Sequence, residues 1–128
     1  MLLGIDHIEL IVRDVDEYVE FYRKLGFELL QRTSHHGESA ELKLPGENQT
    51  VIEIHTATGE EVIGINHIAF RVDSASKAYD DVRAQGLTPV RGPHLVESTG
   101  RTNVNLRDPD GWRLQLVDAD RKPPQRAE

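Results

Sequence analysis

The feature that most constrains this chain is an internal repeat. Residues 4–27, GIDHIELIVRDVDEYVEFYRKLGF, align without a gap on residues 64–87, GINHIAFRVDSASKAYDDVRAQGL, at a fixed offset of 60. Identity falls at Gly4/Gly64, Ile5/Ile65, His7/His67, Ile8/Ile68, Val12/Val72, Arg23/Arg83 and Gly26/Gly86. Self-similarity at such a period marks a duplicated supersecondary unit, so whatever one copy folds into, the other is expected to match.

Local patterns predict what each copy is. IDHIELIV alternates and is rich in β-branched residues, as a strand requires. Asp14 followed by Glu17 gives a helix start resembling a capping box. Val15, Val19, Tyr22 and Leu25 recur at helical spacing, and Gly26 suits the left-handed position after a helix end. In the second copy Ser74 is the cap, Ala75, Ala78, Tyr79 and Val82 form the stripe, and Gly86 is the stop. Three short strands follow each helix, FELLQR, AELKL and TVIEIH, then TPVR, TNVNL and WRLQLV, separated by turn signals such as Pro45-Gly46 and Asp108-Pro109-Asp110-Gly111. The expectation is an α+β protein of two tandem βαβββ modules, residues 1–58 and 64–119, with a solvated tail at 120–128. The chain of 128 residues suffices for one structural domain overall.

Composition removes several function classes. Without cysteine there is no disulfide framework, thiolate metal site or cysteine nucleophile, so any metal must be held by nitrogen and oxygen. A formal charge of -7 argues against a nucleic-acid partner and against an anionic membrane surface. MLLGIDHIELIV is interrupted by Asp6, His7 and Glu9 and lacks a basic start, so it reads as a strand rather than a signal peptide; the expected location is the cytoplasm.

Alternate side chains of a strand point to opposite faces. Ile8, Leu10 and Val12 oppose His7, Glu9 and Ile11; Ile68, Phe70 and Val72 oppose His67, Ala69 and Arg71. Ile52 and Ile54 oppose Val51, Glu53 and His55, while Leu114 and Leu116 oppose Arg113, Gln115 and Val117. The oily faces are expected to pack on the helices. A mixed face left in solvent would explain the alternation without any function. The repeat argues for more, because His7 maps on His67 and Glu53 on Gln115, and modules related by a pseudo-twofold axis bring equivalent positions together. Two imidazoles, a carboxylate and an amide oxygen suit one divalent ion such as Ni, Co, Zn, Mn or Fe. His35 and His36 lie in the polar loop SHHGES and read as loop or lid residues; Trp112 reads as a packing or rim residue.

The segments HIELIV with EFYRKLGF, VIEI, NHIAFRV and DPDGWRLQLV resemble the vicinal oxygen chelate superfamily, which contains glyoxalase I, methylmalonyl-CoA epimerase, extradiol dioxygenases, fosfomycin-resistance enzymes and bleomycin-binding proteins. The resemblance runs from Ile5 to Asp118. It implies a curved, mostly antiparallel sheet around a metal cleft, helices on its outer face, and ligands at His7, Glu53, His67 and Gln115. Glyoxalase I-like members normally carry Glu at the position of Gln115, and that carboxylate moves the substrate proton, which an amide does not do. Epimerase-like members carry the same inventory with the modules exchanged. The expected function is a divalent-metal-dependent lyase or isomerase acting on a small substrate chelated through adjacent oxygens, by way of a metal-stabilised enediolate. Glu53 is the expected base, and Glu9, His55, Arg71 and Arg113 are the expected substrate contacts. Two alternatives stand beside it: an Fe(II) dioxygenase using His7, His67 and Glu53, and a non-catalytic ligand-binding protein of the bleomycin-resistance kind. The family also implies a homodimer.

Overall fold

The computed structural model describes residues 2–34 and 37–118; His35, His36 and the tail expected at 120–128 lie outside the described residues. The element order is β1 (Leu2–Val12), α1 (Val15–Lys24), β2 (Glu28–Thr33), β3 (Ser39–Lys43), β4 (Val51–Thr56), β5 (Gly64–Val72), α2 (Ala75–Ala84), β6 (Arg91–Val96), β7 (Arg101–Arg107) and β8 (Arg113–Val117). This is βαβββ twice, in the α+β class expected from the repeat.

The helices start where their caps direct. Asp14 Oδ1 accepts from the amides of Asp16 at 3.0 Å and Glu17 at 3.4 Å, and Ser74 Oγ accepts from the Lys77 amide at 3.2 Å, satisfying donors that a first turn leaves open. Both stop at a glycine, with φ of +99° at Gly26 and +86° at Gly86. No atom lies within 4 Å of a Cβ built at either, so the requirement is conformational rather than steric.

In the first module the strands are ordered β2-β3-β4-β1, and in the second β5-β8-β7-β6. Within each, two pairings are antiparallel and one, β1 with β4 or β5 with β8, is parallel. The first module buries Val12, Val15, Val19, Ala40, Leu42 and Ile54 with Leu10 and Ile52 packed against them. The second buries Val72, Ala75, Ala78, Val82, Val104, Leu106 and Leu116 with Phe70 and Leu114. The oily strand faces therefore meet the helices, as the alternation predicts. Residues 7–66 form one compact unit; residues 2–6 cluster with 67–118 in the other. A buried ion pair ties Asp6 into that second unit: Arg101 Nη1 and Nη2 reach Asp6 Oδ1 and Oδ2 at 3.0 and 2.6 Å.

Two expectations need correction. Leu25 ends the predicted stripe of α1 but is exposed, because it sits past the last helical residue at the C-cap, outside the stripe that Val15 and Val19 bury. The strand predicted at TPVR begins instead at Arg91 and runs through Gly92 and Pro93. Proline forfeits a ladder donor, which is tolerable here because β6 is an edge strand and its register with β7 shifts between Arg91 and His94.

Candidate metal centre

The faces turned away from the helices are not simply wetted. His7, Ile11, Val51 and His55 are buried in the first module, and His67, Ala69 and Val117 in the second. Solvent exposure therefore does not account for the mixed alternation, and polar groups held there need partners.

The strand registers define how these groups are presented. In the parallel β1–β4 pair His7 lies opposite Val51 and Glu9 opposite Glu53. In β5–β8, His67 lies opposite Arg113 and Ala69 opposite Gln115. Glu53 and Gln115 each stand two residues beyond the partner of their module's histidine, so they are structurally equivalent although their sequence offset is 62 rather than 60.

In the first module His7 Nε2 approaches Glu53 Oε2 at 3.3 Å, with side-chain exposures of 9% and 24%. A sheltered imidazole nitrogen beside a carboxylate oxygen offers the donor types that borderline and hard divalent ions take, so the residues present fit such an ion. In the second module His67 is buried, and Gln115 is half-buried with its Oε1 accepting from Asn103 Nδ2 at 3.4 Å.

The expected contact residues divide. Glu9 and His55 are joined: His55 Nδ1 stands 2.6 Å from Glu9 Oε1, and His55 Nε2 stands 3.1 Å from Glu61 Oε2. Burial, reinforced by the charge of Glu53, pushes the Glu9 carboxyl above the usual carboxylate range, partly offset by His55. Glu61 goes the other way, down to about 2, chiefly because it accepts from the Thr58 amide at 2.9 Å and hydroxyl at 2.8 Å, and also because His55 faces it. Arg71 is half-buried opposite Val117, whereas Arg113 is exposed. Trp112 is also exposed, just past a turn in which Asp108 Oδ1 accepts its amide at 2.8 Å, consistent with a rim position.

Two acidic groups beside this site were absent from the sequence expectations. Glu41 lies directly across from Glu53 and accepts from Gln31 Nε2. Its alternation with buried Ala40 and Leu42 is the signal that places it there. Glu61 lies in the segment after β4 and carries no periodic signal; only the folded path brings it to His55.

A model of the Glyoxalase/Bleomycin resistance protein/Dioxygenase superfamily matches residues 4–116. Among curated proteins, the chain is 32% identical to the uncharacterized protein YwkD of Bacillus subtilis, covering 92% of this chain and 98% of that one. It is 30% identical to the lactoylglutathione lyase of Escherichia coli O157:H7, covering 88% and 90%. Among solved structures, a variant of Streptomyces coelicolor methylmalonyl-CoA epimerase in complex with 2-nitronate-propionyl-CoA superposes with a TM-score of 0.73 at 27% identity, covering 93% of this chain and 99% of that one. No described helix is long and apolar enough to cross a membrane. With two βαβββ modules in its fold and the family pattern matched over nearly its whole length, this chain belongs to the glyoxalase/bleomycin resistance/dioxygenase superfamily, the vicinal oxygen chelate proteins.

Proposed function

We propose that the protein is a divalent-metal-dependent lyase or isomerase, with His7, Glu53, His67 and Gln115 as the ligand set and a small substrate that chelates the ion through adjacent oxygens. The observation that carries this reading is the sheltered His7–Glu53 pair at 3.3 Å, repeated in the second module by His67 and Gln115 at equivalent register positions. His7, Glu53 and His67 each offer one ligand atom, two from buried residues and one from a half-buried residue. The lactoylglutathione lyases and methylmalonyl-CoA epimerases among the relatives support lyase or isomerase chemistry over other superfamily reactions.

A bound divalent ion supplies the Lewis acidity that makes a C–H next to a carbonyl easier to deprotonate. The remaining work falls to side chains. The amide of Gln115 is too weak a base to take a proton from the substrate, so proton transfer is assigned to the carboxylate at the equivalent position, Glu53. Glu9, held by His55, and Arg71 bind polar groups of the substrate from the same face, and Arg113 meets it at the solvent edge. The reading places the protein in the cytoplasm as a homodimer.

Metal analysis combined with Glu53→Gln tests it. Protein supplied in turn with Ni, Co, Zn, Mn and Fe(II) is expected to retain about one ion per chain. The variant is expected to keep the ion, since an amide oxygen still ligates, and to lose deuterium exchange at a carbonyl-adjacent C–H of small 2-oxo or thioester compounds. Undiminished exchange would remove Glu53 as the base, and failure to retain any of these ions would remove the metal. Oxygen consumption that depends on anaerobically loaded iron would replace the isomerase with an oxygenase.

A further inference from the structure

Two amide oxygens in the second module are shielded from water yet accept no hydrogen bond: Asn103 Oδ1 and Asn105 Oδ1. Both residues alternate with the core residues Val104 and Leu106 on β7, so they stand on the face away from α2. Asn105 lies directly across from Gln115, and Asn103 lies across from Val117 while its Nδ2 donates to Gln115 Oε1. A buried acceptor without a donor carries an uncompensated desolvation cost, which folds seldom retain unless something else supplies the donor. The residues themselves remain half-buried, and the last torsion of an asparagine side chain is broad, so each oxygen can reorient to meet an incoming donor.

We infer that Asn103 and Asn105 form a substrate-recognition subsite for neutral hydrogen-bond donors, hydroxyl or amide N–H groups, on the arm of a substrate whose chelating end lies at Gln115. Only the position of that chelating end rests on the proposed function. The chemistry favours neutral donors because none of the residues on this face of β5, β7 and β8 is acidic, so an ammonium group would find acceptors but no opposing charge there.

The test uses two probes with the same chelating oxygens, glycolic acid hydroxyethylamide, which carries N–H and O–H donors, and glycolic acid dimethylamide, which carries neither beyond the chelating hydroxyl. Side-chain amide signals of Asn103 and Asn105 are followed by NMR in labelled protein, with and without added divalent metal. The donor probe is expected to shift both signals saturably and the dimethylamide to leave them in place. In Asn105→Leu the affinity for the donor probe should fall about two- to tenfold, the span of one neutral hydrogen bond, with the dimethylamide unaffected. Equal shifts from both probes, or none from either, would overturn the subsite, and the wild-type spectra decide this even if the variant fails to fold. Donor-specific shifts in protein that retains no metal would uphold the subsite and sink the proposed function. Metal-dependent binding of both probes with silent asparagine signals would do the reverse.

Discussion

The two modules share a backbone plan and differ in the chemistry of one face. The first sets Glu9, Glu53 and Glu41 side by side across β1, β4 and β3, with Gln31 bonded to Glu41. At the equivalent places the second has Ala69, Gln115 and Asn105, and across from Asn105 on β6 lies Arg91. Duplication thus preserved the histidine on each first strand while acidity collected in one copy and neutral amides in the other. The difference teaches that the scaffold and the reaction are separable: helix packing needs only the oily faces, which leaves the other face free to diverge. Carboxylates suit ligation and proton transfer, and amides suit neutral recognition.

The modules also differ in how they hold charge. The unit that joins residues 2–6 to the second module relies on a bidentate pair, Asp6 and Arg101, whose side chains are 8% and 4% exposed. Removing one member of such a pair strands the other, so Arg101→Met is expected to cost about 3–5 kcal/mol, the largest single effect, measured by urea unfolding. The double variant Asp6→Asn/Arg101→Met should recover part of that loss, because the stranded charge is gone. An additive double loss would show that the arginine acts through packing alone.

Core packing sharpens the comparison at equivalent positions. Leu42 lies opposite Ile52 in the first module as Leu106 lies opposite Leu114 in the second, with exposures of 0% and 9%. Leu42→Ala is expected to cost about 2–5 kcal/mol, and Leu106→Ala less within that range, since a partly open site loses less on truncation. The reverse order in unfolding midpoints would mean that the second module carries the tighter core.

The smallest effect concerns acid. Glu61 titrates at about 2 in the fold against an ordinary 4.5, so its stabilisation is complete above the ordinary value and is lost as pH falls from there toward 2. Glu61→Gln should lower stability at neutral pH, and its gap from the parent protein should close across that window. In the second module Val117 occupies the place of His55, and its aliphatic side chain offers a carboxylate nothing to pair with. A gap that persists unchanged below pH 2 would assign the loss to hydrogen bonding rather than to charge.

Much of this architecture was legible before folding. The repeat, both caps, both glycine stops and the alternation of Leu10–Val12 or Phe70–Val72 are local, with periods of two or 3.6 that a few adjacent residues define. His7 and His67 were legible as equivalents for the same reason. The strand from Arg91 was not, because Gly92 and Pro93 are poor strand formers that only a place at the sheet edge makes tolerable.

What the tertiary structure alone decided is pairing. Register sets Glu41 against Glu53 and leaves the oxygens of Asn103 and Asn105 without donors. The ion pair between Asp6 and Arg101 spans 95 positions, and the contact of His55 with Glu61 depends on the path of an irregular segment. Such contacts arise from chain segments meeting after each has formed, and side-chain periodicity within a segment carries no record of which partner it meets.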